Sequence, residues 1–289
     1  MTLSGSSFSG VSRRDVLLAL ASTSFACDAG SAPVRAAAQS QPAGSSKAGA
    51  PGIGSSSGGA SGAAPQRLEV VTAGRMRADE RGGNLVVLLH GWGARGDDLM
   101  SLAQALERPR TRFVLPAAPL AEGGGGRAWW HLDAERPARA SSDVLPEGHV
   151  PSPQLRKVRD AVQGLLLGLA EQHAPESVAL VGFSQGAMLA LDLALASAPA
   201  GSPTIQRVAA LSGALLADSL PALRAPRDSR PAAFIAHGTR DPVVPFGSAE
   251  LARDLLSRHG VDVAFHAFDG GHTIPRAIVE ALGPFLFER

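Results

Sequence analysis

Cysteine is nearly absent: Cys27 stands alone among 289 residues. One thiol rules out an intramolecular disulfide and leaves no cysteine-based zinc site, so no metal is expected. Net charge is nearly absent too, at +1 from 27 basic and 26 acidic side chains. Without a surplus of one sign, nothing points to nucleic acid or an acidic surface as partner. What the chain does have is apolar content, 45% of it, enough for one core of ordinary size or two small ones.

The start of the chain is laid out as an address rather than a fold. Ser12-Arg13-Arg14 precedes an apolar run beginning at Val16. The run covers about eleven residues, the length of a signal-peptide core and short of the ~20 that a membrane-spanning helix needs. Residues 1–27 are therefore expected to be an export signal. The paired arginines fit a twin-arginine route or an ordinary signal that holds two arginines. Cys27, after Ser24-Phe25-Ala26, stands where a lipoprotein would be cut and acylated, although Phe25 is bulky for that motif. A membrane tether through Cys27 and a plain cysteine within a cleaved signal are both open. Residues 28–65 are almost wholly Ala, Gly, Ser, Pro and Gln. Such a stretch buries too little apolar surface to offset its ordering entropy and is expected to be a linker. The folded domain is expected over residues 66–289.

From there apolar runs and amphipathic stretches alternate. Strands are expected at 67–72, 84–90, 111–115, 177–183, 207–211, 232–237 and 261–268. Helices are expected at 97–106, 153–172, 184–196, 247–259 and 275–287. This alternation implies an α/β fold with a mainly parallel sheet and helices on both faces. Ligands of such sheets gather at the carboxyl ends of the strands.

Gly182-Phe183-Ser184-Gln185-Gly186 has the form G-x-S-x-G. The pattern alone carries little in a chain with 33 glycines, and Gly54-Ser55-Ser56-Ser57-Gly58 in the linker matches it as well. Context separates the two: Ser184 stands between an apolar strand and an apolar helix, the setting of a nucleophile elbow. A serine hydroxyl needs a base, and in elbows of this kind the acid and then the histidine follow the serine in chain order. His272 lies in a loop directly after a strand, which suits a base; His259 falls on a helix and His266 within a strand. Asp241, in the loop after the preceding strand, is the preferred acid, and Asp269 is its rival beside His272. An oxyanion is then expected at two backbone N–H groups, those of Gln185 and of Trp92 in the His90-Gly91-Trp92-Gly93 turn.

These motifs resemble the phospholipase/carboxylesterase family of α/β-hydrolases, which includes acyl-protein thioesterases and lysophospholipases. The resemblance rests on His90-Gly-Trp-Gly93, Gly96-Asp-Asp-Leu99, Pro116-Ala-Ala-Pro119, Ala128-Trp-Trp130, Gly182-Phe-Ser-Gln-Gly186, Leu211-Ser-Gly213, His237-Gly-Thr-Arg-Asp241 with Val243-Val-Pro245, and His272-Thr273. It implies an α/β-hydrolase fold, a Ser184–His272–Asp241 triad, an oxyanion hole at Trp92 and Gln185, small carboxylic esters, lysophospholipids or thioesters as substrates, and no cofactor. The export signal departs from the cytosolic pattern of the family, and residues 120–152 are too rich in Gly and charge for its acyl-pocket details to carry over. Trp129 and Trp130 are expected either to line the substrate pocket or to pack this segment onto the core. The triad would serve a peptidase equally well, and the same scaffold could carry a binding lipoprotein without activity. Oligomeric state is left open.

Overall fold

The computed structural model describes residues 67–133 and 135–288. The export signal of residues 1–27, Cys27 and the linker of residues 28–65 lie outside the described residues.

Seven strands form the main sheet: β1 (Val70–Gly74), β2 (Asn84–Leu89), β3 (Thr111–Pro116), β6 (Ser177–Phe183), β7 (Arg207–Leu211), β8 (Ala232–Gly238) and β9 (Val263–Phe268). Their order is β1-β3-β2-β6-β7-β8-β9. All neighbouring pairs are parallel except β1–β3. A two-residue hairpin, β4 (Leu120–Ala121) with β5 (Arg127–Ala128), stands apart. The helices are α1 (Met100–Ala105), α2 (Pro153–His173), α3 (Gln185–Leu195), α4 (Leu220–Arg224), α5 (Phe246–Arg258) and α6 (Arg276–Phe287).

The period-2 alternation of a strand explains why apolar runs became buried strands here. In β2, Leu85, Val87 and Leu89 pack on one side with α2, α3 and α5, among them Val162, Leu189 and Leu255. Val86 and Leu88 face the other side with α1 and α6, among them Leu102 and Leu282. β6 divides in the same way, Leu180 to one cluster and Val181 to the other. Each such side chain, buried whole, contributes about 1.5–3 kcal/mol, which is why the central strands have no polar face.

Strand order reverses between β2 and β6, a topological switch point where open α/β sheets place their sites. Register brings the strand ends level: Leu89 pairs with Gly182, Phe183 with Leu211, and Gly238 with Phe268. The loops opening at His90, Ser184, Ser212, Thr239 and Asp269 therefore leave one rim.

Expected and observed elements differ at their ends. The first helix, expected over 97–106, starts only at Met100, because the Asp98 carboxylate accepts from the Arg95 N–H and holds the preceding residues in a turn. The first strand runs over Val70–Gly74 rather than 67–72 and is antiparallel to β3. α4 and the β4–β5 hairpin have no sequence expectation behind them; both are too short for periodicity to register.

The segment between β3 and α2 is tied down at several points. The Ala140 N–H donates to Leu215 O (2.8 Å) and the Ala217 N–H to Ala138 O (2.8 Å). Asp143 meets Arg224, Arg258 and His259, and His149 Nε2 lies 2.6 Å from Asp218. The segment thus lies along the loop that follows β7. Ser152 ends it as the cap of α2, its hydroxyl accepting from the Leu155 N–H at 3.3 Å with Pro153 in the first helical turn.

Glycine separates two kinds of position. A Cβ on Gly186 would sit 2.0 Å from Leu89 O, and one on Gly182 would sit 2.1 Å from Gly186 O. Gly168, inside α2, has nothing within 4 Å. Gly186→Ala is therefore expected to lose about 3 kcal/mol or more, and Gly168→Ala to gain about 0.5–1 kcal/mol. Urea titrations of the two variants check both signs.

Candidate active site

Ser184 joins β6 to α3 with φ 55° and ψ −116°, outside the regions an L-residue favours. The surroundings over-determine it. Its N–H donates to Leu211 O at 2.9 Å, and its own carbonyl accepts from Ala187 and Met188. Gly182 and Gly186 bring strand and helix together without a Cβ between them. Helix α3 therefore starts at Gln185, one residue later than expected, and its N-terminal dipole lies under the serine.

The loop after β2 passes directly beside this turn: a Cβ on Gly91 would lie 3.3 Å from the Ser184 Cβ. That contact sets Gly91, the residue before Trp92, alongside the serine that precedes Gln185. The Gln185 N–H opens α3 and is one of the donors that a helix start leaves unpaired.

His272 and Asp241 meet across the loops after β9 and β8. His272 Nδ1 lies 2.7 Å from Asp241 Oδ2, and both residues are more than nine-tenths buried. Gly238 and the 270–271 loop make this approach: a Cβ on Gly238 would sit 2.3 Å from Gly271 O, and the Arg240 N–H donates to Gly270 O at 2.9 Å. Oδ1 of Asp241 accepts from the Val243 and Val244 N–H groups at 2.8 and 2.9 Å. His237 Nε2 lies 3.2 Å from Oδ2. Burial works to raise the Asp241 pKa, but the contacts from His237, His272 and Val244 outweigh it and hold the carboxyl well below the usual carboxylate range. An ionised Asp241 requires the proton on His272 Nδ1, which leaves the Nε2 lone pair for a hydroxyl proton. Nε2 is buried and has no hydrogen-bond partner among the described residues, and the Phe183 ring packs against the imidazole at 4.8 Å.

The rivals weighed from sequence lie elsewhere. Asp269 is exposed and paired with Arg240 at 2.8 Å. His266 stacks on Phe234 at 4.4 Å, and His259 faces Asp143.

Trp129 and Trp130 are 0% and 3% exposed and belong to the core, the arrangement of the packing alternative. The Trp129 indole N–H donates to His90 O at 2.8 Å. The Gln185 side chain, a connection that sequence reasoning missed, clamps the same segment: the Trp129 N–H donates to Oε1 and Nε2 donates to Trp130 O, both at 2.8 Å. Sequence held one trace of it, the glutamine itself, whose buried amide must find partners. His90 completes the network. Its Nε2 accepts from the Ala118 N–H at 3.0 Å and its Nδ1 donates to Gly91 O at 2.7 Å. Burial lowers its pKa, in keeping with a neutral imidazole that serves as acceptor on one side and donor on the other.

Because the folded Asp241 pKa lies below that of the unfolded chain, its ionisation contributes stability above the unfolded value, about 4. That contribution is lost as pH falls from there through the folded value. The difference in unfolding free energy between wild type and Asp241→Asn is expected to be constant from neutral pH down to about 4 and to shrink only below it. Denaturant titrations across pH 2–8 check this; a difference that already falls between pH 7 and 5 contradicts it.

Residues 75–288 match the model of the phospholipase/carboxylesterase family. Acyl-protein thioesterase 1 of Kluyveromyces lactis is 29% identical over 200 residues, 65% of this chain and 83% of that protein. Its counterpart in Neurospora crassa is 28% identical over 228 residues, 71% of this chain and 86% of that protein. Among solved structures, esterase PE8 is similar at 32% identity and a TM-score of 0.62, covering 77% of this chain and 99% of its own. Zea mays acyl-protein thioesterase 2, at 23% identity and a TM-score of 0.56, shares the fold. The chain belongs to the phospholipase/carboxylesterase family of α/β-hydrolases and is a serine hydrolase of carboxylic esters.

Proposed function

We propose that Ser184 is the nucleophile, His272 the general base and acid, Asp241 the group that orients and stabilises the imidazole, and the Gln185 and Trp92 N–H groups the oxyanion hole. The observation that carries this reading is the 2.7 Å contact from His272 Nδ1 to a buried Asp241, beside a serine held at φ 55°. His272 Nε2 takes the Ser184 proton as the hydroxyl oxygen attacks the ester carbonyl. The tetrahedral oxyanion is held by the two backbone donors. The proton passes to the leaving alcohol or thiol, the C–O or C–S bond breaks, and the acyl group stays on Ser184. Water, deprotonated by the same imidazole, releases the acid. The names of the thioesterase relatives support thioesters beside oxygen esters as substrates.

Hydrolysis of p-nitrophenyl acetate, butyrate and octanoate by residues 65–289 tests the chemistry. Ser184→Ala is expected to lower kcat by about 10⁴-fold or more and to abolish labelling by a fluorophosphonate. Turnover that survives in the variant sinks the reading.

We also propose that the domain works outside the cytoplasm, on the support of Arg13-Arg14 and the apolar run behind them. Fractionation of a bacterial host expressing the full chain is expected to recover activity outside the cytoplasm. Replacing Arg13 and Arg14 by Lys retains it inside if the route is twin-arginine, whereas cytoplasmic activity from the unaltered chain refutes export. Radiolabelled fatty acid that enters wild type but not Cys27→Ala identifies a lipid tether.

A further inference from the structure

His237, the next-to-last residue of β8, has no exposed surface, in a place where an apolar side chain would satisfy the packing. Its Nε2 lies 2.8 Å from Val244 O and 3.2 Å from Asp241 Oδ2. Both neighbours only accept, so Nε2 carries the proton, aligned on Val244 O and shared with the carboxylate. Nδ1 is then a bare acceptor, buried and without a partner among the described residues. An orphaned buried nitrogen has a cost that a leucine or phenylalanine would avoid. The gain that offsets it lies on the Nε2 side.

Asp241 shows what that gain is. A carboxylate offers about four lone-pair sites. Two, on Oδ1, take the Val243 and Val244 N–H groups. Of the remaining two, on Oδ2, one takes His272 Nδ1. His237 supplies the fourth donor and, through Val244 O, closes the 241–244 loop back onto its own strand.

We infer that His237 is a positioning residue for hydrolysis, fixing Oδ2 of Asp241 toward His272 and limiting the negative charge that this oxygen presents to the imidazole. The inference rests on the proposed triad. Without the Nε2–H, Oδ2 gains a free lone pair and the loop gains freedom. The charge facing His272 grows, so the imidazolium is favoured and the acid limb of kcat/KM moves to higher pH.

The experiment measures kcat, KM and pH profiles on p-nitrophenyl butyrate for wild type, His237→Leu, His237→Gln, Asp241→Asn, and the double variant of His237→Leu with Asp241→Asn. His237→Leu is expected to lower kcat about tenfold, to leave KM within about twofold, and to move the acid limb up by about half a pH unit. His237→Gln places an amide N–H near the Nε2 position and is expected to recover most of the loss. In the Asp241→Asn background, His237→Leu is expected to add less than about twofold, because the group it acts through is gone. A folded His237→Leu with wild-type kcat and pH profile, beside a disabled Asp241→Asn, overturns this inference alone. So does a glutamine variant as impaired as the leucine one. Asp241→Asn at wild-type rate overturns the triad reading and this inference with it. Should His237→Leu not fold by circular dichroism, the imidazole ¹⁵N shifts of the wild-type domain decide: Nε2–H is expected, and an Nδ1–H tautomer overturns the inference.

Discussion

Everything at the rim depends on how closely one helix start approaches one strand end. Gly186 lets α3 settle onto the carbonyls of Leu89 and His90, where a Cβ would meet oxygens at 2.0 and 2.5 Å. Gly182 does the same from the strand side, and Gly213 brings the loop after β7 against Ala187, with a Cβ there only 2.5 Å from the alanine's own. The serine between the first two glycines has little room to relax out of its positive φ. The direction of its Cα–Cβ bond is set by backbone packing among three adjacent strands and one helix.

Around that contact, polar side chains are buried in pairs that complete one another. Gln185 spends its whole amide on Trp129 and Trp130, and His90 uses both ring nitrogens on Ala118 and Gly91. Asp241 uses both oxygens. In a low-dielectric site a group held by several partners is stiff, and an unpaired one is costly. Several buried side-chain nitrogens among the described residues lack a protein partner, Nε2 of His272, Nδ1 of His237 and the Trp92 indole nitrogen among them, and in the two histidines it is the other ring nitrogen that meets Asp241.

Much of this was legible in the amino-acid order because the strands are buried on both faces. Runs such as those at 84–90 and 177–183 carry their element type in length and β-branched content, and the observed strands begin at the expected residues. The meeting of Asp241 and His272 was legible because each residue follows a recognisable strand. What was not legible depends on partners distant in sequence. Trp129 and Trp130 could have faced either way until their segment met Gln185, more than fifty positions onward. The late start of α1 depends on a side chain, Asp98, competing with the helix for a backbone N–H. Short elements such as α4 give periodicity too few residues to act on.

The amide clamp has a consequence for exchanging parts among relatives. Residues 117–131 are wired by main-chain atoms into His90 and Gln185, so a transplanted loop that lacks a tryptophan pair of the same geometry would leave an amide and an indole-sized hole next to the elbow. Residues 136–149 are different. They are fastened by two backbone ties near residues 138–140 and by the side chains of Asp143 and His149. The seam along which this scaffold accepts foreign sequence therefore runs inside the excursion and not at its ends.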